Sequence, residues 1–237
     1  MPTVYLPIAA GPDDAIGTQA RPRIGYALYG VAHARHHDLL RAGWPMQNWV
    51  TRACCMVHPT YYPSLTLRYW TPIDQFRQLC AQYPGRDWLG PNEPNVWSQS
   101  VLKPIDYAGP VREWVPTIRA SGGRFLGPNI AIQPPQEQAV WYPWRQWLDE
   151  YLALPNAVLP DAWAIHNYSA TAAEWQQQYE DFQAWNETSG GRLPVVYTET
   201  GWTPEVWQHV CALRDSRIET ILWFTDKPEE WIPPNST

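Results

Sequence analysis

Short apolar runs alternate with longer amphipathic stretches along the whole chain, a pattern that predicts an α/β protein with a parallel sheet. Eight runs read as strands: Arg23–Gly30, Pro45–Val50, Leu65–Trp70, Asp87–Asn95, Arg124–Ala131, Ala162–Ser169, Val195–Trp202 and Glu219–Asp226. Helical patterns lie between them at about 32–42, 72–83, 104–121, 138–153, 172–189 and 203–215. The stretch Thr51–Ser64 is irregular. Proline follows a polar or capping residue at Thr71-Pro72, Lys103-Pro104 and Thr203-Pro204. Proline at the first helical position gives up no needed hydrogen bond, so these pairs mark helix starts.

Eight strands with intervening crossovers predict a single (β/α)8 TIM barrel, one domain over residues 1–237. The eighth helix is missing: 11 residues follow Asp226, and three of them are proline. Segment 1–20, or a partner chain, is expected to cover that side. The string Leu-Gly-Pro-Asn occurs at Leu89–Asn92 and again at Leu126–Asn129, 37 residues on. That spacing is one barrel unit, so both copies are expected to turn out of adjacent strands at the same rim.

Composition narrows the function. The formal net charge is −6, with no run of Lys or Arg, which argues against nucleic acid or an anionic membrane as partner. No apolar stretch has the length of a membrane span. The chain carries 16 Trp and 13 Tyr but only 4 Phe. Trp and Tyr join a flat apolar face to a polar handle, and the apolar faces of sugar rings stack on such surfaces. Several of these tryptophans are therefore candidates for lining a carbohydrate groove as well as a core. Cys54, Cys55, Cys80 and Cys211 lack metal-ligand spacing; reduced thiols are the expectation, with pairing of Cys54 or Cys55 to Cys80 or Cys211 left open. No cofactor or metal is expected, since neither a Gly-rich phosphate loop nor a ligand cluster is present. The N-terminus lacks a basic region and is broken by proline, so export depends on whether a leader has been removed.

In a barrel of this kind the active site lies at the C-terminal ends of the strands. Glu93 closes the fourth predicted strand and Glu199 the seventh, each after an apolar run. A carboxylate in such a place carries a desolvation cost that folding does not explain. His166 and Tyr168 are two apart on the sixth strand and share a face, close to Glu199 on the next. Arg68 and Trp70 share a face near the third strand's end. Asn92 precedes Glu93, Trp202 and Trp223 lie on the last two strands, and Asn48 and Asn129 are further rim candidates.

Asn92-Glu93-Pro94 on the fourth strand with Thr198-Glu199-Thr200-Gly201-Trp202 on the seventh resembles the large clan (clan A) of retaining (β/α)8 glycoside hydrolases. Asn48-Trp49, Leu67 to Trp70, Leu89 to Pro94, Leu126 to Pro128 and His166 to Tyr168 follow, in order, the pattern of glycoside hydrolase family 128, which contains endo-β-1,3-glucanases. Pro91 stands where that family usually has an aromatic residue, and Thr200 where Phe is common. The resemblance implies Glu93 as acid/base and Glu199 as nucleophile. It implies Asn92 as donor to the sugar 2-hydroxyl and Trp223 as the platform under the reacting ring. Double displacement needs the carboxyls about 5–5.5 Å apart, whereas about 9 Å marks inversion. It also needs their proton affinities pushed apart, with Glu93 raised and Glu199 kept ionised.

The expected activity is hydrolysis of a β-linked polysaccharide, β-1,3-glucan first, by a monomer acting within the polymer. A cell-wall lytic glycosidase acting on an amino-sugar polymer, and a sugar-binding barrel without turnover, are the alternatives.

Overall fold

The computed structural model describes residues 22–28, 40–41, 43, 45–47, 55–65, 73–97, 99–133, 142–201 and 203–225. Eight parallel strands form one sheet: β1 Arg23–Leu28, β2 Met46–Gln47, β3 Tyr61–Tyr62, β4 Asp87–Leu89, β5 Arg124–Ala131, β6 Ala162–Tyr168, β7 Val195–Gly201 and β8 Ile218–Thr225. Neighbours run β3-β2-β1-β8-β7-β6-β5-β4. The ring closes between the two ends of that series: Leu89 N donates to Pro63 O and Leu65 N to Leu89 O, both at 2.8 Å. The described helices are α1 Ile73–Gln82, α2 Pro104–Ala120, α3 Trp144–Leu152, α4 Ala172–Thr188 and α5 Pro204–Ala212. The architecture is the expected TIM barrel.

The third strand departs from expectation. Pairing begins at Tyr61, opposite Met46, rather than at Leu65. Pro63 punctuates the run and makes it read as a loop, yet it sits where only its carbonyl is needed, accepting from Leu89 N. Residues 66–70, the N-terminal segment, most of the expected first helix and the residues beyond Thr225 lie outside those described.

Two apolar layers hold the barrel. Inside, Ala27, Tyr62, Leu89, Leu126, Ala162, Ala164, Val196 and Leu222 pack along its axis. Outside, between strands and helices, lies a larger layer that takes up Trp88, Trp114, Trp147, Trp163, Trp175, Trp185, Trp207 and Trp223. Most of the described tryptophan is therefore core. At the N-terminal end, Arg124 bridges Asp87 and Glu219 with contacts of 2.6 and 2.9 Å, tying β4, β5 and β8 together. Helix starts follow local chemistry: Thr171 and Glu174 form a capping box on α4, and Thr203 caps α5 ahead of Pro204. Cys80 and Cys211 are thiols, with burial pushing them up to about 11 and about 12.

Candidate active site

The C-terminal ends of β2, β4, β5, β6 and β7 converge on two carboxylates. On β6 the residues alternate strictly. Ala164 faces the barrel interior and Ile165 the helices; His166 and Tyr168 then face inward onto Glu93 and Glu199. On β7, Val196 faces in and Tyr197 out. Simple alternation would next turn Thr198 in and Glu199 out. The register against β6 shifts at this point: Ile165 pairs with Tyr197, but His166 pairs with Glu199. Thr198 is thus the extra residue of a bulge, and the bulge re-aims Glu199 into the barrel. Thr200 is turned out, where its hydroxyl accepts from Trp175 Nε1 of α4.

A second bulge lies on β5, where the register against β6 skips from Pro128 to Ile130 and leaves Asn129 as the extra residue. Asn129 has φ 65°, a left-handed conformation that asparagine tolerates better than most. The two Leu-Gly-Pro-Asn copies lie side by side in register, Leu89 opposite Leu126. Gly90 N bonds Leu126 O, and Glu93 N bonds Asn129 O at 3.0 Å. A Cβ on Gly90 would lie 2.7 Å from the Tyr107 hydroxyl, and one on Gly127 2.5 Å from the Phe125 ring, so both copies need their glycine for close packing. Glu93 itself has φ 42°. Such strained backbone in a non-glycine residue is tolerated where the surroundings hold it, typically at functional positions.

Glu93 is 7 % exposed, Glu199 2 % and His166 0 %. One donor atom from each lies within 4.8 Å of the others. His166 Nδ1 is 2.8 Å from Glu93 Oε1 and 3.4 Å from Glu199 Oε2. Tyr168 donates its hydroxyl to Glu199 Oε2 at 2.6 Å, and Gln47 Nε2 donates to Glu199 Oε1 at 2.8 Å and to Thr198 O at 3.0 Å. Asn129 orders the far side. Its Nδ2 donates to Asn92 Oδ1, so its Oδ1 is the acceptor for both the Thr198 hydroxyl and His166 Nε2. With the Nε2 proton assigned in this way, one further proton bridges His166 Nδ1 and Glu93 Oε1.

Burial pulls the His166 imidazole toward its neutral form, but the Glu199 charge and the hydrogen bond and charge of Glu93 outweigh it and raise its affinity for a proton. Burial also raises the Glu199 carboxyl. His166 draws it back down, Glu93 pushes it up again, and Tyr168 and Gln47 oppose the rise. The net direction is upward, set first by desolvation, with His166, Tyr168 and Gln47 opposing it. The Tyr168 hydroxyl, raised by burial and by the Glu199 charge, stays protonated as a donor. Glu93, His166 and Glu199 form the one group among the described residues with donor atoms close enough together for a metal ion; in this structure their lone pairs serve the hydrogen bonds just described.

Of the site residues expected from sequence, Glu93, Glu199, His166, Tyr168, Asn92 and Asn129 are brought together. Asn92 donates from Nδ2 to Gln99 Oε1 at 3.2 Å. Trp223 is placed otherwise: it is 1 % exposed and packs on Trp207 of α5 at 4.8 Å between ring centroids, facing the helix layer. Its neighbour Phe224 faces the site instead, edge-on to Tyr168 at 6.0 Å. The reason is parity, since an aromatic pair on a strand presents one ring to each face. Asn48, Arg68, Trp70 and Trp202 lie outside the described residues. Gln47 and Thr198 were not anticipated. Gln47 adjoins Asn48 in a two-residue strand whose pattern does not say which side chain faces in, and nothing in a sequence marks a bulge.

The family model described as Glycosyl hydrolase catalytic core matches residues 69–225. None of the curated proteins matches the chain. Among solved structures, the chain is similar to a glycoside hydrolase family 128 (subgroup II) endo-β-1,3-glucanase from Sorangium cellulosum. The two share 19% identity over 86% of this chain and 87% of that one, with a TM-score of 0.65. A subgroup I endo-β-1,3-glucanase from Amycolatopsis mediterranei, in complex with laminaritriose, shares 20% identity over 90% and 95% of the two chains, with a TM-score of 0.61. A subgroup III curdlan-specific exo-β-1,3-glucanase from Blastomyces gilchristii, in complex with glucose, shares 16% identity over 91% and 93%, with a TM-score of 0.62. At these identities the likeness is one of fold.

Proposed function

Given that the chain belongs to the glycosyl hydrolase catalytic core family, we propose that it hydrolyses β-1,3-glucan within the polymer, as one monomeric catalytic domain, with retention at the anomeric carbon. The observation that carries this reading is the pair of buried glutamates at the ends of β4 and β7, with carboxylate atoms within 4.8 Å of one another. That proximity is nearer the roughly 5–5.5 Å of retaining enzymes than the roughly 6.5–9.5 Å that admits a water in inverting ones. The substrate is supported by the β-1,3-glucanases that share the fold.

Glu199 attacks the anomeric carbon as the glycosidic C–O bond breaks, and Glu93 delivers its proton to the departing oxygen. In the second step Glu93 takes a proton from water, the water oxygen attacks the anomeric carbon, and Glu199 is released as carboxylate. Tyr168 and Gln47 hold one oxygen each of Glu199, which fixes the attack direction and favours the leaving carboxylate in the second step. His166, hydrogen-bonded to Glu93, keeps the acid's proton at hand. The second Nδ2 hydrogen of Asn92 serves the sugar 2-hydroxyl.

The test is reducing-sugar release from a polysaccharide panel led by β-1,3-glucan, with wild type beside Glu93→Gln and Glu199→Gln. Release from β-1,3-glucan is expected, falling at least about 100-fold in both variants, and proton NMR should show the β-anomer first. Activity surviving in both variants refutes the assignment. Release from peptidoglycan alone identifies a lytic enzyme instead, and binding without release on every polymer identifies a sugar-binding barrel.

A further inference from the structure

Trp97 alone among the described tryptophans is exposed, at 59 %. It stands at the end of a run, Pro91–Val96, in which every residue is buried. Its backbone is on the acid's own turn: Val96 N bonds Glu93 O at 3.1 Å, so the chain folds back immediately after Glu93 and presents the next side chain to solvent.

The turn is built to hold its shape. Ser100 N bonds Asn92 O at 3.3 Å and Leu102 N bonds Pro94 O at 2.8 Å, so the two limbs of the loop are stitched together. Asn95, fully buried, accepts from Ala131 N and donates to the carbonyls of Ala131 and Tyr142. Trp147 Nε1 of α3 holds Leu102 O at 2.7 Å. Val101 sits at φ 49°, a conformation that a β-branched residue adopts only under such restraint. A large flat side chain on a rigid support loses little entropy on binding, which is the condition for an efficient stacking surface. Val101 and Ile105, 36 % and 56 % exposed, follow Trp97 in sequence.

Position on the reaction coordinate identifies the sugar. The nucleophile lies under the ring that becomes covalently attached. The acid lies beside the oxygen that departs, and so beside the sugar that departs with it. Trp97 belongs to the acid's turn, which leaves β4, whereas the nucleophile is carried by β7, three strands away around the ring.

We propose that Trp97 is the stacking platform for the leaving-side sugar, taking the apolar face of a β-linked glucosyl ring one or two units beyond the scissile bond. This rests on the glucanase reading above and adds a residue to it.

The experiment compares two substrates in the full chain. Laminarihexaose fills both sides of the cleft. β-Laminaribiosyl fluoride has a single-atom leaving group and fills only the glycone side. The readout is the ratio of kcat/KM for hexaose to kcat/KM for fluoride. In Trp97→Ala this ratio is expected to fall about tenfold, the loss of one stacked ring, and Trp97→Phe, which keeps a smaller ring, should lose less. An unchanged ratio overturns the proposal, including the case where both substrates slow in parallel, which marks a role in folding. A wild type that turns over neither substrate refutes the glucanase reading, and this inference falls with it. A wild type active on both, with no change of ratio in the variants, refutes the inference alone.

Discussion

Tyr168→Phe isolates the hydrogen bond that most directly holds the nucleophile. The hydroxyl donates to Glu199 Oε2 at 2.6 Å, while the ring packs edge-on to Phe224 at 6.0 Å. Phenylalanine keeps the ring contact and removes only the donor. Glu199 Oε1 retains Gln47, and Oε2 retains His166 at 3.4 Å. A hydrogen bond to a charged group contributes about 1.5–3 kcal/mol, and about 1.4 kcal/mol corresponds to one pH unit. Because Tyr168 opposes the rise in the Glu199 carboxyl, its loss lets burial push that carboxyl further up. The acid limb of kcat/KM, which reports ionisation in the free enzyme, should then move to higher pH by about 1–2 units. The assay is kcat/KM on β-1,3-glucan across the acid range, with Gln47→Leu as a companion that removes the donor to the other oxygen and should shift the limb in the same direction. An acid limb that stays in place, or moves to lower pH, refutes the reasoning, since neither fits a donor that favours the carboxylate.

Two further outcomes follow from the electrostatics. Folding raises the proton affinity of both Glu199 and His166 above their ordinary values of 4.5 and 6.5. The stability each contributes is therefore present at low pH and lost as pH rises, above 4.5 for Glu199 and above 6.5 for His166. Glu199→Gln removes the first effect and weakens the second, so thermal melting followed against pH should show a flatter profile than wild type. At alkaline pH the variant should melt higher, by about 2–4 °C for each kcal/mol of relieved desolvation and repulsion; parallel profiles refute this. At the other end of the barrel, Arg124→Met breaks the bridges to Asp87 and Glu219. With the Arg124 side chain 37% exposed, solvent screening limits the loss to about 1 kcal/mol. The melting temperature should drop about 2–4 °C at low salt, and less at high salt, with kcat unchanged.

Much of the fold was legible because local rules and tertiary packing agree. The fifth predicted strand matches β5 residue for residue, and β6, β7 and β8 match within one or two residues at their ends, because buried parallel strands write long apolar runs. The repeated Leu-Gly-Pro-Asn was readable as two adjacent turns, since a glycine needed for close approach leaves a recurrent mark. Glu93 and Glu199 stood out by position, as charges closing apolar runs. Tryptophan content was the weaker guide: its polar handle suggested sugar, but most of the described rings fill the layer between strands and helices.

By itself the sequence determined the barrel, the two carboxylates and the inward pair His166 and Tyr168, all of which depend on periodicity within one strand or on order along the chain. Only the tertiary structure decided which way the remaining groups face. The bulges at Asn129 and Thr198 exist because each strand must keep register with its neighbours while turning a polar side chain inward. That is a property of paired strands and leaves no trace in either one alone. Trp223 faces the helices and Phe224 the site for a similar reason: along a strand, one residue of offset separates the helix layer from the active site.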